Sequence, residues 1–264
     1  MDTDEAVRRV SLIAPMLRED VQTAIVSHAV LEASNAILPK GLSGITTPFV
    51  ETYNGVQYAL TMKLAMDLAR IFDLSESKRF PPEEQDKASI PVLAALMSRP
   101  DVRNALENEA AEWLPGVEYI GASNAIPADV LEGILKSVED DHRAGDRASF
   151  QNASASFLVI AGRLAVDGSD EKAALVRIRE FRNKRLAHSL FDKEPDELPK
   201  YSDLHLLLDI AKEAAKYALL AVEGLNTEFD DQARRDHEKA EGYAKCVLDG
   251  LKRAASLPTP TAHK

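Results

Sequence analysis

Apolar residues recur at three- and four-residue intervals through most of the chain. Val56, Leu60, Leu64, Leu68 and Phe72 fall four apart, and Met62, Ala65 and Ala69 widen the same face. This spacing predicts one long amphipathic helix from Phe49 to Phe72, broad enough to lie in a core. Upstream, Val21, Ile25, His28, Leu31 and Leu38 form another stripe. It predicts a helix over residues 3 to 38, interrupted near Pro15 and closed by Pro39. Shorter helices are expected near Ser89 to Ser98 and Pro100 to Trp113.

Proline, glycine and polar clusters punctuate these stripes at 39–48, 73–86 and 115–127. Pro127 suits the first turn of a helix on which Val130, Leu131, Ile134, Leu135 and Val138 would bury one face before the charged run Glu139 to Arg143. A further apolar stretch covers Phe150 to Leu164. Ser169 is placed to cap a helix over about 169–190, because its hydroxyl can accept from exposed backbone N–H groups. Ser202 could cap the strongly helical pattern from Leu204 to Leu225. A more polar helix follows from Asp230 to Leu251, and residues 256–264, with Pro258 and Pro260, read as a flexible tail.

Long alanine- and leucine-rich stretches with few glycines make the expected fold class all-α. No internal repeat or sharp change of composition divides the chain, so residues 1–255 are expected to form a single helical domain. The 32 Lys and Arg against 43 Asp and Glu give a formal net charge of -11. Such a surface argues against a broad, non-specific nucleic-acid coat, so any such contact should be local. Cys246 is the only cysteine, which removes intrachain disulfides and thiolate clusters and fits a reducing cytoplasm. No apolar run is long enough to span a bilayer, and no leader is evident. A cytoplasmic protein without membrane contact is expected.

One run concentrates chemistry: Arg182-Asn183-Lys184-Arg185-Leu186-Ala187-His188. An arginine can hold a phosphate through two parallel hydrogen bonds, and histidine moves protons near neutral pH. Ala174, Ile178, Phe181, Arg185 and His188 continue one helical stripe, so the charged members need partners. Arg182 and His188 differ by roughly 600° at about 100° per residue, which leaves them about 120° apart on an ideal helix. Either the helix loosens near His188 or a second copy of the motif crosses the first. A two-fold dimer would supply two histidines, an acid and a base. Lys172, Arg177, Arg179, Arg182, Lys184 and Arg185 are opposed within their own interval only by Glu180, which predicts a positive groove.

An arginine and a histidine separated by five positions beginning with Asn183 resemble the signature of the HEPN superfamily. The flanking text from Leu175 to Ser189, with Asp67-Leu-Ala-Arg-Ile-Phe-Asp73 on the earlier helix, is similar to the U-type abortive-infection branch, over roughly Phe49 to Leu220. The resemblance implies an all-α HEPN-like bundle with additional peripheral helices, usually a homodimer. It also implies a metal-independent endoribonuclease of phage defence or toxin–antitoxin systems, with RNA as substrate and an antitoxin or other defence protein as possible partner. Carried over by position, Arg182 would bind the scissile phosphate, Asn183 would orient substrate or Arg182, and His188 would be the acid/base group for attack by the 2′-hydroxyl. Arg179, Lys184 and Arg185 would contact RNA. No cofactor and no metal ligand is implied.

Two rival readings stay open: a non-catalytic helical module binding RNA, nucleotide or a protein, and a polar cluster that only stabilises a dimer. Asp67, Arg70 and Asp73 could support the site or form an ordinary helical ion-pair network. His142 beside Glu139, Asp140 and Asp141 reads as a solvated face, because consecutive helical residues point apart. His28 reads as a boundary histidine and Trp113 as an anchor between helices. His205 and Asp203 could approach the motif in space. Motifs of zinc proteases, P-loop NTPases and dinucleotide enzymes are absent.

Overall fold

The computed structural model describes residues 1–44, 49–75, 79–113, 127–186 and 197–255, with the backbone alone at 128, 185 and 186. Among these residues there are eight α-helices, one 3₁₀ turn at Pro82–Glu84 and no strand. The helices are α1 (Thr3–Gly41), α2 (Val50–Ile71), α3 (Ile90–Met97), α4 (Pro100–Ala110), α5 (Ala128–Arg163), α6 (Asp170–Phe181), α7 (Tyr201–Glu223) and α8 (Phe229–Ala255). The fold is all-α, as the patterning requires. None of the described helices is long and apolar enough to cross a membrane.

Helix α1 begins where the Asp2 carboxylate accepts from the Glu5 N–H at 2.8 Å. It then runs through both Pro15 and Pro39 without a break, unlike the interrupted helix expected. A proline inside a helix costs about 3 kcal/mol. Around Pro15, however, Ile13, Ala14 and Leu17 are all buried in the main core, and α1 packs along α8, α2 and α7. Burial of that continuous face offsets the lost hydrogen bond.

The C-terminal half of α2 is central, with Leu64, Leu68, Ile71 and Phe72 fully enclosed, whereas Val56 near its start stays exposed. Helix α5 departs further from expectation. The apolar stretch at 150–164 and the one before the charged run belong to a single helix. Its second half buries Phe150, Ala153, Phe157 and Ile160 against α7 and its neighbours, but Val130 and Ile134 are each 48% exposed. The reason lies in helix lengths: Arg143 is already level with Glu112 beyond the end of α4, at 3.6 Å. Earlier turns of α5 lie past the neighbour that could have covered them.

Helix α7 is the hub, touching α5, α1, α6 and α2 in turn. Ala211, Ala214, Ala215 and Ala218 let neighbours approach closely between the larger Leu207, Leu208 and Leu219. Its first turn is not capped by Ser202. Asp203 reaches back instead and accepts from the Lys200 N–H at 2.8 Å. Its last turn stops at Gly224, whose φ of 65° is left-handed. A Cβ there would lie 2.9 Å from the Trp113 ring, so Trp113 anchors the end of α7.

Candidate functional site

Helix α6 carries the motif into place. Ser169 caps it as expected, its Oγ accepting from the Lys172 N–H at 3.1 Å, and Ala174, Leu175, Ile178 and Phe181 bury one face. At Arg182 the α-helix gives way to a π-helical turn, Arg182–Leu186. Hydrogen bonds to the fifth residue widen the turn and change which residues share a face. The stripe that would place Arg185 directly below Phe181 therefore does not continue in α-helical register. Of the two alternatives, a loosened helix or a crossing second copy, the helix does change its winding, from Arg182 onward.

The π-helical turn sets Arg182 against the end of α2. Its Nη1 donates to Asp73 Oδ1 at 2.8 Å and its Nε to Asn183 Oδ1 at 3.1 Å. Lys87 Nζ sits 2.9 Å from the other Asp73 oxygen. Burial works to raise the Asp73 pKa, but hydrogen bonds from Arg182 and Lys87 outweigh it and hold the carboxyl below the usual aspartate range. The Ser89 hydroxyl donates to the Asp73 carbonyl at 2.6 Å, fixing the turn that presents this carboxylate. Arg179, one helical turn before Arg182, donates from Nη2 to the Phe72 carbonyl at 2.5 Å. Burial depresses its pKa, opposed by Asp73 and reinforced by Arg182. Two arginines of α6 thus fasten onto two consecutive residues ending α2.

A third arginine ties α6 to α7. Arg177 grips Asp203 with both arms, Nε to Oδ2 at 2.8 Å and Nη2 to Oδ1 at 2.7 Å, and lies 3.4 Å from Glu197. Asp203 is only 4% exposed. Its burial alone would raise the carboxyl pKa, yet Arg177 and the Lys200 N–H hold it lowered. The hydrogen bonds that Arg177 donates to Asp203 correspondingly raise its own pKa.

These contacts correct the expected groove of cations opposed only by Glu180. Lys172 pairs with Asp167, Arg177 with Asp203, Arg182 with Asp73, and Lys184 lies 3.7 Å from Glu180. For Arg177 and Arg182 the neutralising acids, Asp203 and Asp73, come from distant segments, where local sequence could not show them. Arg182, Asn183, Lys184 and Arg179 are placed on one helix end. The Asn183 side chain is exposed, and Arg179 is half-buried and turned inward. The side chain of Arg185 and all of His188 lie outside the described residues.

Of Asp67, Arg70 and Asp73, only Asp73 bonds a motif residue among the described residues. Arg70 pairs with Asp20 of α1 at 2.5 Å, and Asp67 with Lys63 at 2.5 Å, so both are in ion pairs, but with other partners than the local Asp67–Arg70–Asp73 network expected. Lys87 carried no sequence signal, because it sits in a loop without pattern. Beside Phe181 a cleft of about 590 Å³ opens, lined mainly by Tyr58, Met62, Leu198, Tyr201 and Leu204. His142 is exposed, as a solvated face requires. His28 and Glu32 of α1 and His205 of α7 bring ligand atoms within 4.8 Å of one another.

No curated protein and no solved structure matches the chain. The HEPN family model described as AbiU2 matches residues 17–243, from within the first half of α1 to the middle of α8. The match therefore takes in α2 with Asp73, α6 with its capped start, the π-helical turn and α7, and membership suggests a nuclease or abortive-infection role. With the arginine-bearing helix end docked on the acidic end of α2, and that match across most of its length, the chain belongs to the AbiU2 family of HEPN proteins.

Proposed function

We propose that the chain is a metal-independent endoribonuclease of abortive infection or a related toxin–antitoxin system, acting in the cytoplasm as a homodimer. The observation that carries this reading is the π-helical turn at Arg182–Leu186, which begins at the motif arginine and leaves Arg182 half-buried and Asn183 exposed. Such turns occur often at functional sites.

In this reading Arg182 binds the scissile phosphate and stabilises its developing charge. Asn183 orients it, consistent with the 3.1 Å contact to Arg182 Nε. His188 serves as the acid/base group for attack by the 2′-hydroxyl, leaving a 2′,3′-cyclic phosphate, and a second copy supplies the complementary histidine. Lys184 and Arg185 would contact flanking phosphates. Arg179 would contribute by holding α6 on Phe72. The aromatic walls of the adjacent cleft, Tyr58 and Tyr201, suit the faces of unstacked bases. An antitoxin or other defence protein is the expected protein partner.

A second reading has its own support. Arg182 is already engaged by Asp73, and its neighbour Arg179 by a carbonyl, as a purely structural seam or a non-catalytic binding module would have it. Incubation of the purified full chain with defined RNAs in excess EDTA separates the two. Cleavage to cyclic-phosphate ends, lost in both Arg182→Ala and His188→Ala while the fold is retained, supports the nuclease. Intact RNA with binding retained supports the module, and dissociation of the dimer by either substitution supports the seam.

A further inference from the structure

We propose that His28, Glu32 and His205 form a binding site for one borderline divalent transition-metal cation of the Zn²⁺ type, pinning the first turn of α7 to α1. The site uses none of the motif residues, although Tyr201, which hydrogen-bonds Glu32, also lines the cleft beside Phe181.

The geometry begins with helical spacing. His28 and Glu32 are four residues apart on α1 and so lie on one face, while His205 comes from the first turns of α7. His28 Nε2 lies 3.3 Å from His205 Nε2, and His205 Nε2 lies 3.1 Å from Glu32 Oε1. Zinc bonds of about 2.0–2.1 Å in tetrahedral array place neighbouring ligand atoms about 3.3 Å apart. Two of the three pairs therefore already have the separation of ligands around one small ion, and all three donors lie within 4.8 Å of one another. His28 and His205 meet edge to face, at 83° with centroids 4.3 Å apart. Coordination needs the His205 ring to turn so that its Nε2 lone pair aims at the shared point, and its half-exposed position leaves room for that.

The surroundings favour a cation over a bare hydrogen-bonded trio. Glu32 adds negative charge, and Lys212, a cation near His28, is held by Asp209 at 2.8 Å and Asp230 at 2.9 Å. Tyr201 completes the arrangement: its hydroxyl donates to Glu32 Oε1 at 3.1 Å and its ring packs edge-on against His205 at 4.9 Å. That hydrogen bond keeps the carboxylate oriented. Metal ligands are commonly held by such outer contacts. Two imidazoles with one carboxylate suit zinc and its neighbours and disfavour magnesium or calcium, which prefer all-oxygen sets. Three protein ligands leave a position for water.

Full-length protein stripped with chelator and returned to chelator-free buffer tests the assignment. Titration with Zn²⁺ by calorimetry should show one tight equivalent per chain. Co²⁺ should give visible bands of a four- or five-coordinate nitrogen/oxygen site, without thiolate charge transfer. His28→Ala and His205→Ala should each abolish that equivalent, and Glu32→Gln should weaken it while preserving the side-chain shape. Tyr201→Phe should cost about 10-fold in affinity. His237→Ala, in another i,i+4 histidine–carboxylate pair on α8, should bind like wild type. Absence of a tight equivalent in the wild type, or its persistence in both His205→Ala and Glu32→Gln, overturns the proposal and leaves a hydrogen-bonded cluster. Circular dichroism identifies a variant that fails to fold, in which case Glu32→Gln decides.

Discussion

Replacing Arg177 with alanine should be among the most damaging single changes in the motif helix, although Arg177 lies outside the arginine–histidine signature. Both of its arms are spent on Asp203, whose carboxylate is nearly enclosed between α6 and α7. Alanine would leave that carboxylate buried with the Lys200 N–H as its remaining described hydrogen bond. Removing one partner of such a pair costs about 3–5 kcal/mol, because the survivor stays desolvated without compensation. The more exposed Glu197 contact adds little. For a chain of this size the loss corresponds to a fall in Tm of roughly 5–9 °C.

The pH dependence supplies the stricter test. Asp203 has a folded-state pKa below its unfolded value, so its contribution is present above the unfolded pKa, about 3.9, and is lost as pH falls through the folded one. In Arg177→Ala the carboxyl loses the cation and burial dominates, which raises its pKa and lets it protonate while still folded. The difference in Tm between wild type and variant should therefore be large at pH 7 and shrink towards pH 4. Thermal melts followed by circular dichroism at several pH values measure this. A difference below about 2 °C at pH 7, or one that does not change with pH, would refute the claim that a buried ion pair holds α6 to α7. Asp203→Asn, which keeps the shape but not the charge, should fall between the two and show a weaker dependence on pH.

Other substitutions probe separate links. Ser169→Ala removes the side-chain acceptor at the start of α6 and should cost about 1 kcal/mol in denaturant-unfolding free energy. Gly224→Ala introduces a Cβ at a left-handed residue, 2.9 Å from the Trp113 ring, and should destabilise by more than the roughly 1 kcal/mol typical of a left-handed site alone, measured by chemical unfolding. Asp73→Asn leaves Arg182 beside a neutral partner. If the proposed chemistry holds, it should lower the RNA-cleavage rate up to about 100-fold through misplacement of Arg182, with a smaller effect on RNA affinity in a filter-binding assay.

The helices were legible because their stripes are long and regular, and the capped start of α6 was legible because Ser169 stands just before one of them. What escaped was decided by contacts between distant segments. Pro15 reads locally as a break, and only the packing of α1 against its neighbours shows why the helix continues. Val130 and Ile134 read as core until α4 proves too short to cover them. The motif cations read as a positive groove because their acids, Asp73 and Asp203, are 109 and 26 residues away from Arg182 and Arg177 respectively. His28 and His205 likewise lie 177 residues apart, and no periodicity links them.

The placement of Asp73 changes what the motif arginine must do. Asp73 keeps its charge well below neutral pH, so Arg182 meets an incoming phosphate while already paired. A phosphodiester can then displace the carboxylate or share the guanidinium, which has donors beyond the Nη1 and Nε now in use. Sharing is the geometrically economical course, because Lys87 also neutralises Asp73 and reduces its repulsion of the phosphate. The chain's net charge of -11 makes such local neutralisation necessary. Lys87→Gln should therefore weaken RNA binding even though Lys87 need not touch RNA. The loss should shrink in the Asp73→Asn background, where no carboxylate charge remains to be offset, and a double-mutant cycle on RNA affinity measures that coupling. Equal losses in both backgrounds would mean that Lys87 acts on RNA directly and that Asp73 is displaced instead of shared.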